Sequence, residues 1–500
     1  MFRLTSEYVP DMIAAMPLRN EIMLITYADS LGGNLRALAQ VLENHFKDAI
    51  GGLHVLPFFP SSADRGFAPT RYDIVDEAFG TWEDIQLLSG RYDFMADFMI
   101  NHISRASSYF EDFTNRKDSS PYADMFIRYK EFWEGGEPTQ EQVDLIYKRK
   151  PRAPYVEVTF RDGTSEKVWC TFDSEQIDLD LRKEITWKFV TDSLLGLADR
   201  GVAVVRLDAF AYAAKKPGTS CFFVEPEMWD MLERARGILE PRGIEVLPEI
   251  HEHFSIQQKL ADRGYWVYDF ALPMLLLHTL FAGSNVRLLE WLRICPRKQF
   301  TTLDTHDGIG VVDVRGLLSD EEIEATREHL FTHGANVKRV YNTAAYNNLD
   351  IYQINCTYYS ALGANDDAYL LSRAIQFFAP GIPQVYYVGL LAGANDIELI
   401  ERTKTGRDIN RHSYTVDEVN REVRRSIVQR LLRLMRFRNS CKAFSGTFQI
   451  LPTQQVNELK LAWKSGEEVA MLSANLATFS FSVEFTDPQS GHLVELSLLE

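Results

Sequence analysis

The chain has 500 residues, 46% of them hydrophobic and 12% aromatic, and a formal net charge of -17. That length exceeds the roughly 250 residues of one plain (β/α) barrel, so there is room for insertions or a further small domain around a large packed core. The acidic excess argues against nucleic acid or an anionic membrane as partner, because both reward clustered Lys and Arg.

The five cysteines are scattered and form no C-x-x-C pair. They read as free thiols in a reducing compartment, not as a disulfide frame or a zinc site. No run nears the roughly eighteen apolar residues of a membrane span, and Glu7, Pro10 and Asp11 stand where a signal peptide needs an apolar core. A soluble, cytoplasmic protein is expected.

In chain order, residues 23–29 read as a first strand, and Leu35, Leu38, Val41, Leu42 and Phe46 mark one face of the helix that follows. Residues 52–60 form a second strand, and residues 94–100 a third that ends in Asn101-His102. The alternation then stops until about Arg182, across a stretch with a turn signal at Gly135-Gly136 and a basic run through Lys148, Arg149, Lys150 and Arg152. Its place after the third strand makes it a lid or side domain. A helix carrying Ile185, Phe189, Val190 and Leu197 leads into a fourth strand, residues 202–208, and strands five to eight fall at 244–249, 266–272, 300–307 and 382–389. Eight strands alternating with helices predict a parallel barrel. A second irregular insertion follows Gly308, amphipathic helices run to about Arg438, and the tail alternates like a small β domain.

In such a barrel the C-terminal strand ends share one face, which holds the active site. Asp208, Glu249 and Asp307 close the fourth, fifth and seventh strands, so three carboxylates distant in sequence are expected to meet. Two carboxylates astride a glycosidic bond permit retention: one attacks the anomeric carbon while the other protonates the leaving oxygen, then deprotonates the acceptor. Asp208 is assigned as nucleophile, kept ionised by Arg206 two residues earlier on the same strand face. Glu249 is assigned as acid/base, its proton favoured by apolar Leu247, Pro248 and Ile250. Asp307 and His306 would clamp hydroxyls and stabilise an oxocarbenium-like transition state, with His102 adding a further contact.

Each residue alone has a duller reading. An Arg-x-Asp strand is more often a structural ion pair, and His306-Asp307 could be a turn or cap. The ordered conjunction of Asn-His, Arg-x-Asp, Glu and His-Asp at four strand tips carries the assignment. A non-catalytic barrel would have lost the carboxylates. A nicotinamide-dependent enzyme would need G-x-G-x-x-G, which Leu31-Gly32-Gly33-Asn34 lacks.

Residues 97–102, 205–208, Glu249 and 305–307 resemble the four ordered regions of glycoside hydrolase family 13, the α-amylase clan. Residues 23–32, 56–60, 64–67, 303–310, 348–353 and 406–411 resemble its sucrose phosphorylase branch, over about residues 20 to 445. The resemblance implies an α/β fold, a (β/α)8 TIM barrel with two inserted side domains and a small C-terminal β domain. The barrel would take residues 1–102, 182–307 and 364–443, the insertions 103–181 and 308–363, and the β domain 444–500. It also implies reversible phosphorolysis of sucrose to α-D-glucose 1-phosphate and D-fructose by double displacement through a β-glucosyl-enzyme intermediate. Phosphorolysis of sucrose 6'-phosphate, glucosylglycerol or glucosylglycerate is the alternative within the clan.

Carried over, Asp208 matches the family nucleophile, Glu249 the acid/base and Asp307 the transition-state stabiliser. Asp64, Phe67, His102, Phe172, Gln176, Arg206, His306 and Arg407 match sugar-binding positions. Asp64 and Arg407 could pair to wall off a one-sugar pocket, and Phe67 could stack on the ring. Tyr212, His251, Leu349, Asp350, Tyr352 and Gln353 match the acceptor site, where Tyr352 favours plain sucrose. Arg149, Lys150 and Tyr352 are the phosphate candidates. No metal or organic cofactor is expected, inorganic phosphate being a co-substrate. The expected partners are small molecules (sucrose, phosphate, glucose 1-phosphate, fructose), with no nucleic acid or membrane and a homodimer as the candidate assembly.

Overall fold

The computed structural model describes residues 18–150, 152–335 and 353–498. Eight parallel strands form its centre: β1 (Met23–Thr26), β2 (Gly52–Val55), β3 (Asp93–Met99), β4 (Val204–Asp208), β5 (Glu245–Pro248), β6 (Val267–Asp269), β7 (Gln299–Thr301) and β8 (Ile382–Tyr386). They pair in the order β6-β7-β8-β1-β2-β3-β4-β5, so the barrel is closed except for a ladder between β5 and β6 among the described residues. Pro248, the last residue of β5, brings no N–H to that seam.

Several strands are shorter than their sequence stretches. β1 ends at Thr26, β2 at Val55, β7 at Thr301 and β8 at Tyr386. β6 stops at Asp269, whose carboxylate accepts from Leu272 N at 3.0 Å and opens the helix Leu272–Ala282 where strand was expected. The chain therefore leaves the ladder before it reaches Glu249 and Asp307, and both carboxylates sit on rim loops.

Below that rim, Met23, Met95, Val204, Leu247, Tyr268, Phe300 and Ile382 plug the barrel, one from each strand except β2. Outside it, helix Leu35–His45 buries Leu35, Leu38, Val41 and Leu42, and the Asn34 side chain accepts from Ala37 N at 3.0 Å as its cap. The first insertion is tied to the tip of β3 by the pairing of His102–Ser104 with Gln176–Asp178. It holds a core of its own around Tyr129, Phe132, Trp133 and Trp169. At the C-terminus a five-stranded antiparallel sheet docks on the helix Asp366–Phe378, where Trp463 Nε1 donates to Phe378 O at 2.8 Å. All five cysteines are free, and no helix among the described residues is long and apolar enough to cross a membrane.

Candidate active site

The register of β3 against β4 sets Asp97 opposite Arg206 and Met99 opposite Asp208. Arg206 Nη1 contacts Asp97 Oδ1 and, at 2.9 Å, Asp208 Oδ1, while Nη2 lies 3.8 Å from Glu249 Oε1. The next residue, Ala209, sits at φ 50 and ψ 34, a left-handed conformation that costs a non-glycine residue energy and recurs at functional sites. There its N–H donates to Glu249 Oε2 at 2.8 Å. One guanidinium and one strained turn thus hold the expected nucleophile and acid/base together.

The electrostatics correct the sequence reading of that pair. Arg206 was expected to hold Asp208 low. Instead, burial pushes Asp208 up to about 8, with Arg206 opposing and the charges of Glu249, Asp97 and Asp307 adding to the rise. The reason is that Arg206 is shared. Asp97 is fully buried and pairs with His54 at 2.8 Å; burial raises it, but His54 and Arg206 outweigh that and bring it to about 2. A proton on Asp208 must therefore leave before its carboxylate can attack. That proton is present below about 8 and leaves as pH rises through it. We expect kcat/KM for the glycoside to rise with pH towards about 8 as Asp208 ionises; a pH–rate profile flat through that range contradicts the assignment.

Asp307 stays ionised. Burial pushes it up, but Arg407, with Nη1 at 3.0 Å from Oδ1 and backed by Arg411, holds it far below the usual carboxylate range. Burial drives His306 down to about 3 against the pull of Asp307, so it meets hydroxyls as a neutral ring. Its carbonyl accepts from Arg411 Nε and Nη2 at 3.1 and 2.9 Å.

The aromatic wall follows. Phe67 stacks on His306 at 4.9 Å and 5°, so one of the ring faces expected for sugar is taken by His306. The Phe67 carbonyl accepts from Gln176 Nε2 at 2.9 Å and lies 2.8 Å from His102 Nε2. Phe172 meets His102 edge-on at 5.6 Å and Tyr212 at 5.1 Å, and the Arg149 guanidinium lies over the rings of Tyr212 and Tyr147. His251 Nε2 is 3.5 Å from Glu249 Oε1, and Gln353 is 3.3 Å from the same nitrogen. Asp64 begins the turn Asp64–Gly66 with φ 50, and Arg407, expected to face it, reaches Asp307. Lys150 is exposed. Leu349, Asp350 and Tyr352 lie outside the described residues.

Sequence reasoning missed the supports. Asp97 and His54 are interior strand residues that only the register joins to Arg206. Lys215 is buried and donates from Nζ to Asn101 Oδ1 and Tyr212 O, both at 2.7 Å, and lies 2.8 Å from Asp178 Oδ2. Its ammonium ties the β3 tip to the insertion and to the loop after β4, and no motif signals it. Glu249, His251 and Asp307 bring one donor atom each within 4.8 Å of one another. Glu249 Oε2 accepts from Ala209 N, His251 Nδ1 lies 3.4 Å from Asp313 Oδ2, Asp307 pairs with Arg407, and Asn101 and Asp178 meet Lys215.

A parallel barrel whose rim brings two carboxylates to one guanidinium and a third within 4.8 Å of Glu249 is the arrangement of an enzyme acting on glycosidic bonds. Residues 26–265 match the family model for the alpha amylase catalytic domain. The chain is 54% identical to a sucrose phosphorylase of Streptococcus mutans, over 94% of its own length and 99% of that protein's. It is 44% identical to a glucosylglycerol phosphorylase of Marinobacter adhaerens, over 95% of this chain and 98% of the other. The crystal structure of a sucrose 6F-phosphate phosphorylase from Thermoanaerobacter thermosaccharolyticum superposes with a TM-score of 0.92 at 45% identity, covering 97% of this chain and 99% of that one. The chain belongs to glycoside hydrolase family 13, in the branch that holds the sucrose phosphorylases and related glucoside phosphorylases.

Proposed function

We propose that this enzyme catalyses the reversible phosphorolysis of sucrose to α-D-glucose 1-phosphate and D-fructose with retention. Asp208 attacks C1 while Glu249 gives its proton to the fructosyl oxygen, so the glycosidic bond breaks as the C1–Oδ bond forms and fructose leaves neutral. Glu249, now a carboxylate, takes a proton from phosphate as a phosphate oxygen bonds C1 and Asp208 departs as carboxylate. Asp307, ionised throughout, faces the positive charge at C1.

The observation that carries this reading is the convergence of Asp208, Glu249 and Asp307 beside Arg206 and Arg407 in a chain so similar to a sucrose phosphorylase. The wall of Phe67, His306, His102, Gln176 and Phe172 suits a single glucosyl unit. His306 Nδ1, buried without a hydrogen-bond partner among the described residues, is an atom that a sugar hydroxyl would satisfy. Arg149 is offered as a cation for phosphate from the first insertion, with Tyr352 as a second candidate. The reading calls for no metal or organic cofactor, takes phosphate as co-substrate and small molecules as partners, and places a homodimer in the cytoplasm.

Purified protein given sucrose is expected to form glucose 1-phosphate and fructose in proportion to added phosphate. Free glucose as the main product rejects the reading. Turnover only when the fructosyl unit carries a 6-phosphate rejects it in favour of the activity named for a relative that is 46% identical.

A further inference from the structure

The turn that carries Asp64 and Phe67 to the pocket is strained. Asp64, Arg65 and Gly66 take φ 50, 50 and 104, so two residues with side chains stand in succession in the left-handed region, where only glycine is at ease. Gly66 has no room for a side chain, because a Cβ there would lie 2.4 Å from Pro57 O. The turn's own backbone closes with two long hydrogen bonds, Gly66 N to Ala63 O at 3.3 Å and Phe67 N to Asp64 O at 3.2 Å. Such a conformation persists only where its surroundings hold it, and here side chains do so. Phe67 stacks on His306. Arg65 reaches back to the loop after β1, where its Nη2 donates to Asp29 Oδ1 at 2.8 Å and to Ser30 Oγ at 3.4 Å and its guanidinium lies 4.3 Å from the Tyr27 ring centre. Tyr27 meets His306 edge-on at 6.3 Å, so the groups that grip the turn at Arg65 and at Phe67 also touch each other.

We propose that Arg65 is a positioning residue for the glucosyl unit: its grip on Asp29 and Tyr27 holds the left-handed turn, and with it Asp64 and Phe67, in the binding arrangement before sugar arrives. The inference rests on the phosphorolysis reading, in which Asp64 and Phe67 border the glucosyl unit. Sucrose and glucose 1-phosphate share that unit, so Arg65 serves both donors alike. It does not serve phosphate, which meets an enzyme whose glucosyl unit is already bound to Asp208. The Arg65–Asp29 pair is partly exposed, and a pair of that kind adds little to the stability of a whole fold. Its effect on binding is of another kind. The turn's alternatives lie close in energy, and donor affinity falls in proportion to the fraction of molecules that hold the competent turn.

Arg65→Ala should lower kcat/KM for sucrose and for glucose 1-phosphate by the same factor, about fivefold, while kcat and kcat/KM for phosphate change by less than about twofold. Arg65→Gly should recover part of the donor loss, because glycine takes φ 50 without steric cost. Arg65→Lys, which keeps a cation for Asp29, should also lose less than the alanine variant. Asp29→Ala leaves the residues of the turn untouched, yet it should lower the same two donor constants and add little to Arg65→Ala, because both act through one contact. Steady-state rates with each substrate, measured beside thermal midpoints, read all four variants. A phosphate constant that falls as far as the donor constants overturns the proposal. So does a glycine variant no better than alanine, which would make the side chain act directly and not through the turn. Lowered thermal midpoints with unchanged donor constants, or additive losses at Arg65 and Asp29, overturn it as well. If the unaltered enzyme makes no glucose 1-phosphate at all, the phosphorolysis reading fails instead.

Discussion

Replacing Asp208 by alanine should lower turnover of sucrose and phosphate by about 10⁴-fold or more, the scale on which loss of a covalent nucleophile is felt. The fold should survive. Arg206 keeps Asp97, its most buried partner, and the truncated side chain lies at the rim rather than in the plug beneath it. Steady-state rates measured beside thermal midpoints check this. A variant with an unchanged midpoint and activity within tenfold of the parent would falsify the assignment of the nucleophile. Asp208→Asn is the sharper companion, because its amide still reaches Arg206 yet cannot form a glycosyl ester.

Glu249→Gln should lower turnover of sucrose by about 10²- to 10⁴-fold, the usual value of positioned proton transfer. The size of that loss should depend on the leaving group. α-Glucosyl fluoride needs no proton to depart, so the first half-reaction should remain near the parent rate with that substrate. The glucosyl-enzyme should then accumulate, because phosphate has lost the base that accepts its proton. Intact-mass analysis should find a glucosyl adduct on the Glu249→Gln variant, and azide, which brings no proton, should release it. Equal losses with sucrose and with the fluoride would remove Glu249 from the acid's role. The amide should still accept from Ala209 N, which keeps the strained turn in place.

Much of the site was legible because it depends on chain order. Asp208, Glu249 and Asp307 end strands or the loops that follow them, and a parallel barrel sends every such end to one face. The apolar runs before them told strand from helix, and the helix face of Leu35, Leu38, Val41 and Leu42 was readable from spacing alone. What spacing overstated was strand length. In β6 the Asp269 carboxylate caps the next helix and ends the ladder early, a side-chain event that an apolar count does not register.

The charge state of Asp208 went the other way from expectation because its guanidinium is shared. Arg206 and Asp208 are two residues apart, which suggested a private ion pair. The guanidinium also serves Asp97, 109 positions away in sequence, and approaches Glu249. Lys215 is a similar case, an isolated lysine in the sequence and an internal cation for Asn101 and Asp178 in the fold. Phe67 was expected to stack on the sugar ring, and His306, more than two hundred residues away, covers one of its two faces.

By itself, then, the sequence determined the barrel, the order of its strand tips and the three carboxylates on its rim, because hydrophobic periodicity and the residue ending each strand are local properties of the chain. Tertiary structure alone decided how the cations are shared, which carboxylate burial raises and which way His251 turns. Coulomb energy and desolvation depend on distance and surroundings in space, and groups a hundred residues apart come within 3 Å only through strand register and loop closure.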